Sequence, residues 1–376
     1  MKTVRVIFYI LLLIILIGGL AIGVLIFSVN PNKLKPVIVS EVNKKTGYRL
    51  VIDGNLSWSF YPRFGIKIIH MTVTDPHQSA PFADLRNVNI ATDFSQLWQS
   101  NKKLQGTIYI QEARLTNLML QKIQIELHWL APHLTLAPIV ASFYDGKVEG
   151  RIEGSNFSTL PVWRFEGEFT HVDMQSLLLD MNGPDSKIKL SGRGYIKMQA
   201  ASKGKVRNEF LQNLVSQGEF NLTNGAVEGI DLNYLVQSAD ALLDKKSLSV
   251  APTNLKQTAF DSLTGDILIQ NGVAETNHLL LISAAFTAKG NGSINLLNQG
   301  INYQLDINPV NTLKLTGTLP VIITGNLKTP DVRINTAALQ QKITQDQLEK
   351  VEKKVEEKVK ELPAKADKIL QKLLGQ

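Results

Sequence analysis

Residues 281–296 read LISAAFTAKGNGSINL. The even positions are Ile282, Ala284, Phe286, Ala288, Gly290, Gly292, Ile294 and Leu296, every one apolar or glycine. The odd positions from Ser283 to Asn295 are Ser, Ala, Thr, Lys, Asn, Ser and Asn. Alternate side chains of a strand point to opposite faces, so the stretch predicts one strand over 278–296 with an apolar and a wet face. The pattern recurs in KIKLSGRGYIKM (187–198), whose apolar set is Ile188, Leu190, Gly192, Gly194, Ile196 and Met198. In INYQLDIN (301–308) the set is Ile301, Tyr303, Leu305 and Ile307. One-sided alternation belongs to antiparallel sheets, because strands buried on both faces read as unbroken apolar runs. The fold class is mainly β.

Strand signals run from 48 to 334, separated by short interruptions rich in Gly, Asn, Asp and Pro, the residues of turns. A short amphipathic helix is expected within 30–48, and a few more at 94–100, 174–181, 206–217 and 231–243. Internal similarity is visible. SGRGYIKM (191–198) parallels KGNGSINL (289–296), DGKVEG (145–150) parallels NGAVEG (224–229), and GEF occurs at 167–169 and 218–220. The spacing is too irregular for a solenoid and suits β-elements added edge to edge.

The ends differ from this body. Val6 to Val29 contains no charge, and that many helical residues span about 36 Å, enough for a bilayer core of about 30 Å. A cleaved signal peptide is the competing reading, with Lys2 and Arg5 as its basic region. The apolar run is too long for it, so an uncleaved anchor at 6–29 is expected, with residues 1–5 as a cytoplasmic stub. A long domain following an anchor tends to translocate whatever its charge, which places the body outside the cytoplasm. From 336 to 376 the chain turns charged and helical, with Leu348, Val351, Val355, Val359 and Leu362 on one stripe. Such a tail suits a solvated helix, a weak coiled coil, or docking on a membrane.

Composition narrows the function. The 376 residues are 44% apolar and 19% charged, as in a folding chain. The net charge of +7 comes without a basic helix or an aromatic RNA-binding motif, and anionic lipid headgroups account for it as well as nucleic acid does. Nucleic acid is not an expected partner. The absence of cysteine removes disulfides, thiolate nucleophiles and cysteine-based metal sites. The six histidines are scattered, and no nucleophile elbow, phosphate loop or metalloprotease motif occurs. The Gly-x-Gly pairs at 192–194 and 290–292 lack a third glycine and a following helix, so they are not dinucleotide loops. They read as glycines thinning a strand face for a bend or a close neighbour. No enzyme, cofactor or metal is expected.

Two regions resemble the AsmA family. In residues 29–66 the resemblance rests on Asn30 and Pro31 after the anchor, Gly47 and Tyr48 closing a helix, and Asp53, Gly54, Leu56, Trp58 and Pro62 in and after a strand. The second region runs from 137 to 332 and rests on Tyr144, Gly146, Gly229, Asp231, Pro320, Gly325 and Pro330. The resemblance implies an N-terminal β region at 30–125 and a C-terminal β-groove region at 126–335. It also implies an inner-membrane-anchored periplasmic protein of a Gram-negative bacterium, linked to outer-membrane biogenesis. Kinship with bridge-like lipid-transfer proteins, whose curled sheets carry acyl chains in an apolar trough, follows too.

Size then weighs what covers the apolar face. Eighteen strands at about 4.8 Å spacing make a sheet about 85 Å wide, with an apolar face of about 2,000 Å². Four short helices hide about 600 Å². The remainder is covered by the sheet folding on itself as a sandwich, by lipid tails in an open trough, or by the charged tail. Residues alone favour the sandwich slightly, since large exposed apolar patches need a partner. The resemblance favours an extended, curled antiparallel sheet forming a groove. Its expected lining is Ile188, Leu190, Ile196, Met198, Ile282, Phe286, Ile294, Leu296, Tyr303 and Leu305. Phospholipid transport between the inner and outer membranes is the expected function. A non-enzymatic scaffold for outer-membrane assembly proteins, with a closed β-sandwich body, is the alternative.

Overall fold

The computed structural model describes residues 30–341, apart from 47, 60–62, 76–78, 93–102, 158, 184–188, 205–206, 237–256, 311–317 and 328. The expected anchor at 6–29, the helix at 94–100 and the charged tail beyond 341 lie outside the described residues. A 3-10 turn (Pro31–Lys33) leads into helix α1 (Leu34–Thr46). Strands β1 (Arg49–Asp53), β2 (Ser57–Ser59), β3 (Phe64–Thr74), β4 (Ala83–Thr92) and β5 (Lys103–Leu115) follow. Then come β6 (Leu118–Leu130), β7 (His133–Phe143), β8 (Gly146–Ser155) and β9 (Val162–Asp173), closed by helix α2 (Met174–Asn182). Next are β10 (Lys189–Leu190), β11 (Arg193–Lys203), helix α3 (Arg207–Gln212), β12 (Val215–Glu228) and β13 (Gln257–Gln270). The last five strands are β14 (Val273–Ile282), β15 (Phe286–Asn295), β16 (Gly300–Pro309), β17 (Leu319–Asn326) and β18 (Thr329–Ile334). Helical turns also occur at 232–236 and 336–341.

All eighteen strands of the described residues belong to one antiparallel sheet. It is a meander in which each strand pairs with strands adjacent or one removed in sequence. β1 and β2 share one position beside β3, and β10 and β11 share one beside β12. The eighteen strands thus fill about sixteen positions, a width of about 77 Å rather than the 85 Å expected. This open single sheet is not the two-layer sandwich that the residues alone slightly favoured. It is continuous through residues 125 and 126, where β6 runs.

Turn chemistry sets the hairpins. Tyr144 and Asp145 (φ 46° and 59°) and Asn271 and Gly272 (φ 51° and 74°) form two-residue turns with both residues in the left-handed region. Such turns match the twist of the strands they join.

Side-chain alternation does not hold its phase along every strand. Ile66 and Ile68 of β3 are buried on even positions, whereas Met71 and Val73 are buried on odd ones. The change falls at Ile69, which the pairing places opposite Asn87, then Gln111, then Lys122. Asn87 and Lys122 have φ near 50°, and Asn87 Nδ2 donates to Gln111 Oε1 at 2.9 Å. The four residues form a crease across β3–β6. Both neighbours shift phase together, so the apolar face stays continuous across it.

That face carries the core. Leu34, Ile38 and Val42 of α1, all at most 1% exposed, pack in one cluster with Leu50, Ile52, Met71 and Val73, which closes the face at its β1 edge. At the other edge, β18 pairs only with β17 among the described residues.

Candidate functional site

The stretch 281–296 is two strands, not one. β14 ends at Ile282 and β15 begins at Phe286, with Ser283–Ala285 turning the chain. Ser283 holds that turn: its backbone N–H and its hydroxyl donate to Phe286 O at 3.0 and 3.1 Å. The hydroxyl also accepts from Phe286 N at 3.2 Å. Leu281 pairs with Ala288 and Ile282 with Thr287, so an odd residue before the turn shares a face with an even one after it. Ile282 therefore stands on the outer face, against the expectation that it lines the groove, and Leu281 takes its place.

The other expected lining residues fare differently from one another. Phe286 (0% exposed) and Leu305 (7%) are on the apolar face but fully packed. Ile196, Met198, Ile294 and Tyr303 are on the same face and partly exposed, through the pairs Ile196↔Phe220, Met198↔Gly218, Ile294↔Ile301 and Gly292↔Tyr303. Leu190, on β10, pairs with Val227 and packs against the core. Leu296 falls in the turn after β15, and Ile188 is outside the described residues.

The register adds residues that periodicity did not single out. Phe165, Phe169, Phe220, Ile267 and Ile269 extend the apolar face across β9–β13. Its glycines lie under neighbouring side chains. A Cβ on Gly265 would meet the Phe220 ring at 2.7 Å, on Gly167 the Phe165 ring at 2.4 Å, on Gly292 Tyr303 Cγ at 2.4 Å, and on Gly290 Leu305 Cδ2 at 2.4 Å. The Gly-x-Gly expectation of close neighbours is met at Gly290 and Gly292. The repeated GEF carried the remaining signal, since residues two apart on a strand share a face.

Few polar groups reach this face. The Tyr303 hydroxyl lies 3.1 Å from Thr276 Oγ1, and burial pushes that tyrosine above the ordinary value. On the opposite face, between β13 and β14, Asp266 Oδ1 accepts from the backbone N–H groups of Asn277 and His278 at 2.8 and 2.9 Å, and Oδ2 lies 3.1 Å from His278 Nδ1. Burial alone would raise this carboxyl; the hydrogen bonds outweigh it and hold it below its ordinary value. Among the described residues no three His, Cys, Asp or Glu side chains gather as metal ligands.

The residues that carry the family resemblance prove to be caps, turns and clamps. Asn30 accepts from Asn32 N at 2.9 Å, capping the turn that Pro31 starts. Asn32 Oδ1 in turn accepts from Leu56 N at 2.9 Å, and Lys35 reaches Gly54 O at 3.2 Å, pinning α1 to the β1–β2 corner. Gly54 has φ 75°. Tyr48 meets Phe82 edge-on and Trp58 stacks on Phe64. Asp53 Oδ2 lies 2.7 Å from His70 Nδ1, whose other ring nitrogen lies 3.2 Å from Asp84 Oδ1. The Tyr144 hydroxyl donates to Asp180 Oδ2 at 2.6 Å and accepts from Met119 N at 3.3 Å, tying α2 to β6. Burial and Asp180 push its ionisation well above the ordinary tyrosine value. Gly146 abuts Thr170 O, leaving no room for a Cβ. Gly229 turns with φ 92° before Asp231, which caps the 232–236 turn through Tyr234 N at 2.9 Å. Pro320 O accepts from Asn335 N at 2.9 Å, and Gly325 (φ 98°) pairs with Pro330. Gly47 and Pro62 are outside the described residues.

A single open meander with one continuous apolar face defines the architectural class. The AsmA family model matches residues 1–105 and 91–279, and the chain belongs to that family. It is 33% identical over 80 residues to "Protein AsmA" of Escherichia coli (strain K12), an alignment covering 21% of this chain and 13% of that protein. No solved structure matches the chain. Among the described residues no helix is long and apolar enough to cross a membrane.

Proposed function

We propose that this is a periplasmic protein of outer-membrane biogenesis, anchored in the inner membrane by 6–29, that carries phospholipid acyl chains on the apolar face of its sheet. The observation that supports this reading best is the continuity of that face along one sheet, with no second sheet among the described residues. Family membership and the charge-free N-terminal run point the same way. Each buried methylene is worth about 0.8 kcal/mol, so a lipid is retained without a polar headgroup site, and its movement along aliphatic walls needs no chemical step.

Mass spectrometry of lipids released from the detergent-extracted full chain tests the reading. Phospholipid should copurify with the native protein and be lost from Ile196→Asp/Ile294→Asp at unchanged circular dichroism. Equal lipid on both proteins, or none on either, defeats it. The dense packing of the face from β3 to β8 favours the scaffold alternative, which the second outcome would support.

A further inference from the structure

The apolar face is not uniform along the sheet. From β3 to β8 most of its side chains are dry: Ile68, Leu85, Ile108, Leu134 and Leu136 are all at most 2% exposed, although Ile90, Leu104, Leu120 and Ile139 are partly exposed. From β9 to β16 the face splits along the strands. Toward the turn at Ser283–Ala285 it is packed, with Phe286, Ile307 and Leu281 buried. Toward the opposite turns, at 271–272 and 296–299, Phe165, Ile196, Phe220, Ile267, Ile294 and Tyr303 are only partly covered. This is also where Gly167, Gly265 and Gly292 let rings lie down against the strands, which lowers the floor instead of filling it.

We propose that a single acyl chain is seated on this depression, between β9 and β16, and that the face from β3 to β8 takes no guest. The inference rests on the acyl-carrying reading above and limits it. The depression spans about seven strand positions, or about 29 Å, against about 15 Å for one leaflet of a bilayer's hydrocarbon core, so an extended chain fits along it. The β1 edge, stoppered by Leu34, Ile38 and Val42, gives no axial way in. A guest reaches the depression over the strand ends near 271–272 and 296–299.

Photolabelling maps the seat. The full-length protein in detergent is loaded with a diazirine-bearing palmitic acid, irradiated, and digested for peptide mass spectrometry, with unlabelled palmitate as competitor. Competable adducts are expected on peptides from β9 and β11–β16, and none on β3–β7. In Ile267→Trp, which builds a large ring onto the floor, those adducts should fall several-fold at an unchanged melting temperature. Adducts on β3–β7 at comparable yield overturn the inference while leaving the acyl reading intact. Full labelling of a folded Ile267→Trp protein also overturns the inference. No competable adduct anywhere overturns both.

Discussion

Leu281 and Ile282 are adjacent, similar in volume and placed on opposite faces, so truncating each in turn tests the hairpin register directly. Leu281 is 7% exposed and pairs with Leu263 and Ala288. Ile282 is 38% exposed and pairs with Ser262 and Thr287. Removing a buried leucine to alanine costs about 2–5 kcal/mol, the transfer energy plus that of the cavity left behind. The lower half of that range suits Leu281, whose neighbours on one side include the small Ala288. Removing an exposed side chain with hydroxyl-bearing neighbours costs at most about 1 kcal/mol. With about 2 °C per kcal/mol for a chain of this size, Leu281→Ala should lower the melting temperature by about 5 °C and Ile282→Ala by less than about 2 °C. Urea denaturation should give the same order. Even-position alternation predicts the reverse. Equal losses, or a larger one for Ile282→Ala, would refute the turn at Ser283–Ala285 and with it the assignment of every apolar residue on β14.

Three further outcomes follow from local geometry. Tyr144→Phe removes the hydroxyl that ties Asp180 to Met119 and should cost about 1–2 kcal/mol. In the 295 nm absorbance titration of the native protein, Tyr144 and Tyr303 should both ionise above the ordinary tyrosine value of about 10, and Tyr144→Phe should remove one of these late steps. Because the Tyr144 ionisation is raised in the fold, its contribution to stability is complete below about pH 10 and is lost as pH rises further. Asp266 runs the other way. Its contribution is present above its ordinary value of 3.8 and lost as pH falls through the lower folded value, so Asp266→Asn should flatten the acid limb of urea midpoints against pH. Asn32→Ala leaves Leu56 N without its acceptor and should destabilise by about 1 kcal/mol, with faster amide exchange in α1 than in β5.

Much of the fold was legible in the sequence because one-sided alternation is a strong signal wherever a strand keeps its phase. Residues 301–308 keep it, and Leu305 and Ile307 lie where the pattern puts them. Periodicity says nothing, however, about where a strand turns. Ser283–Ala285 holds no glycine, asparagine or proline; a serine hydroxyl makes the turn, so 278–296 read as one strand and Ile282 as a lining residue. The crease at Ile69, Asn87, Gln111 and Lys122 was equally hidden, since only cross-strand pairing reveals that four phase changes lie in one row. Parity also cannot separate a packed position from an open one. Phe286 and Ile294 share a face, but depth depends on which strand end the packed cluster covers. The aromatic floor was half visible, in the two GEF copies, and lacked only the register that sets Phe220 over Gly265.

Because every strand bonds only to strands adjacent or nearly adjacent in sequence, this sheet has no closure condition to satisfy. A barrel fixes its strand number through tilt and shear, whereas an open meander can gain or lose a hairpin anywhere and leave the ladder on either side unchanged. Length is then a free variable of the architecture. Insertion of one β14–β15 unit should add about 10 Å of span without a compensating change elsewhere, an evolutionary route by which chains of unequal size can share one design.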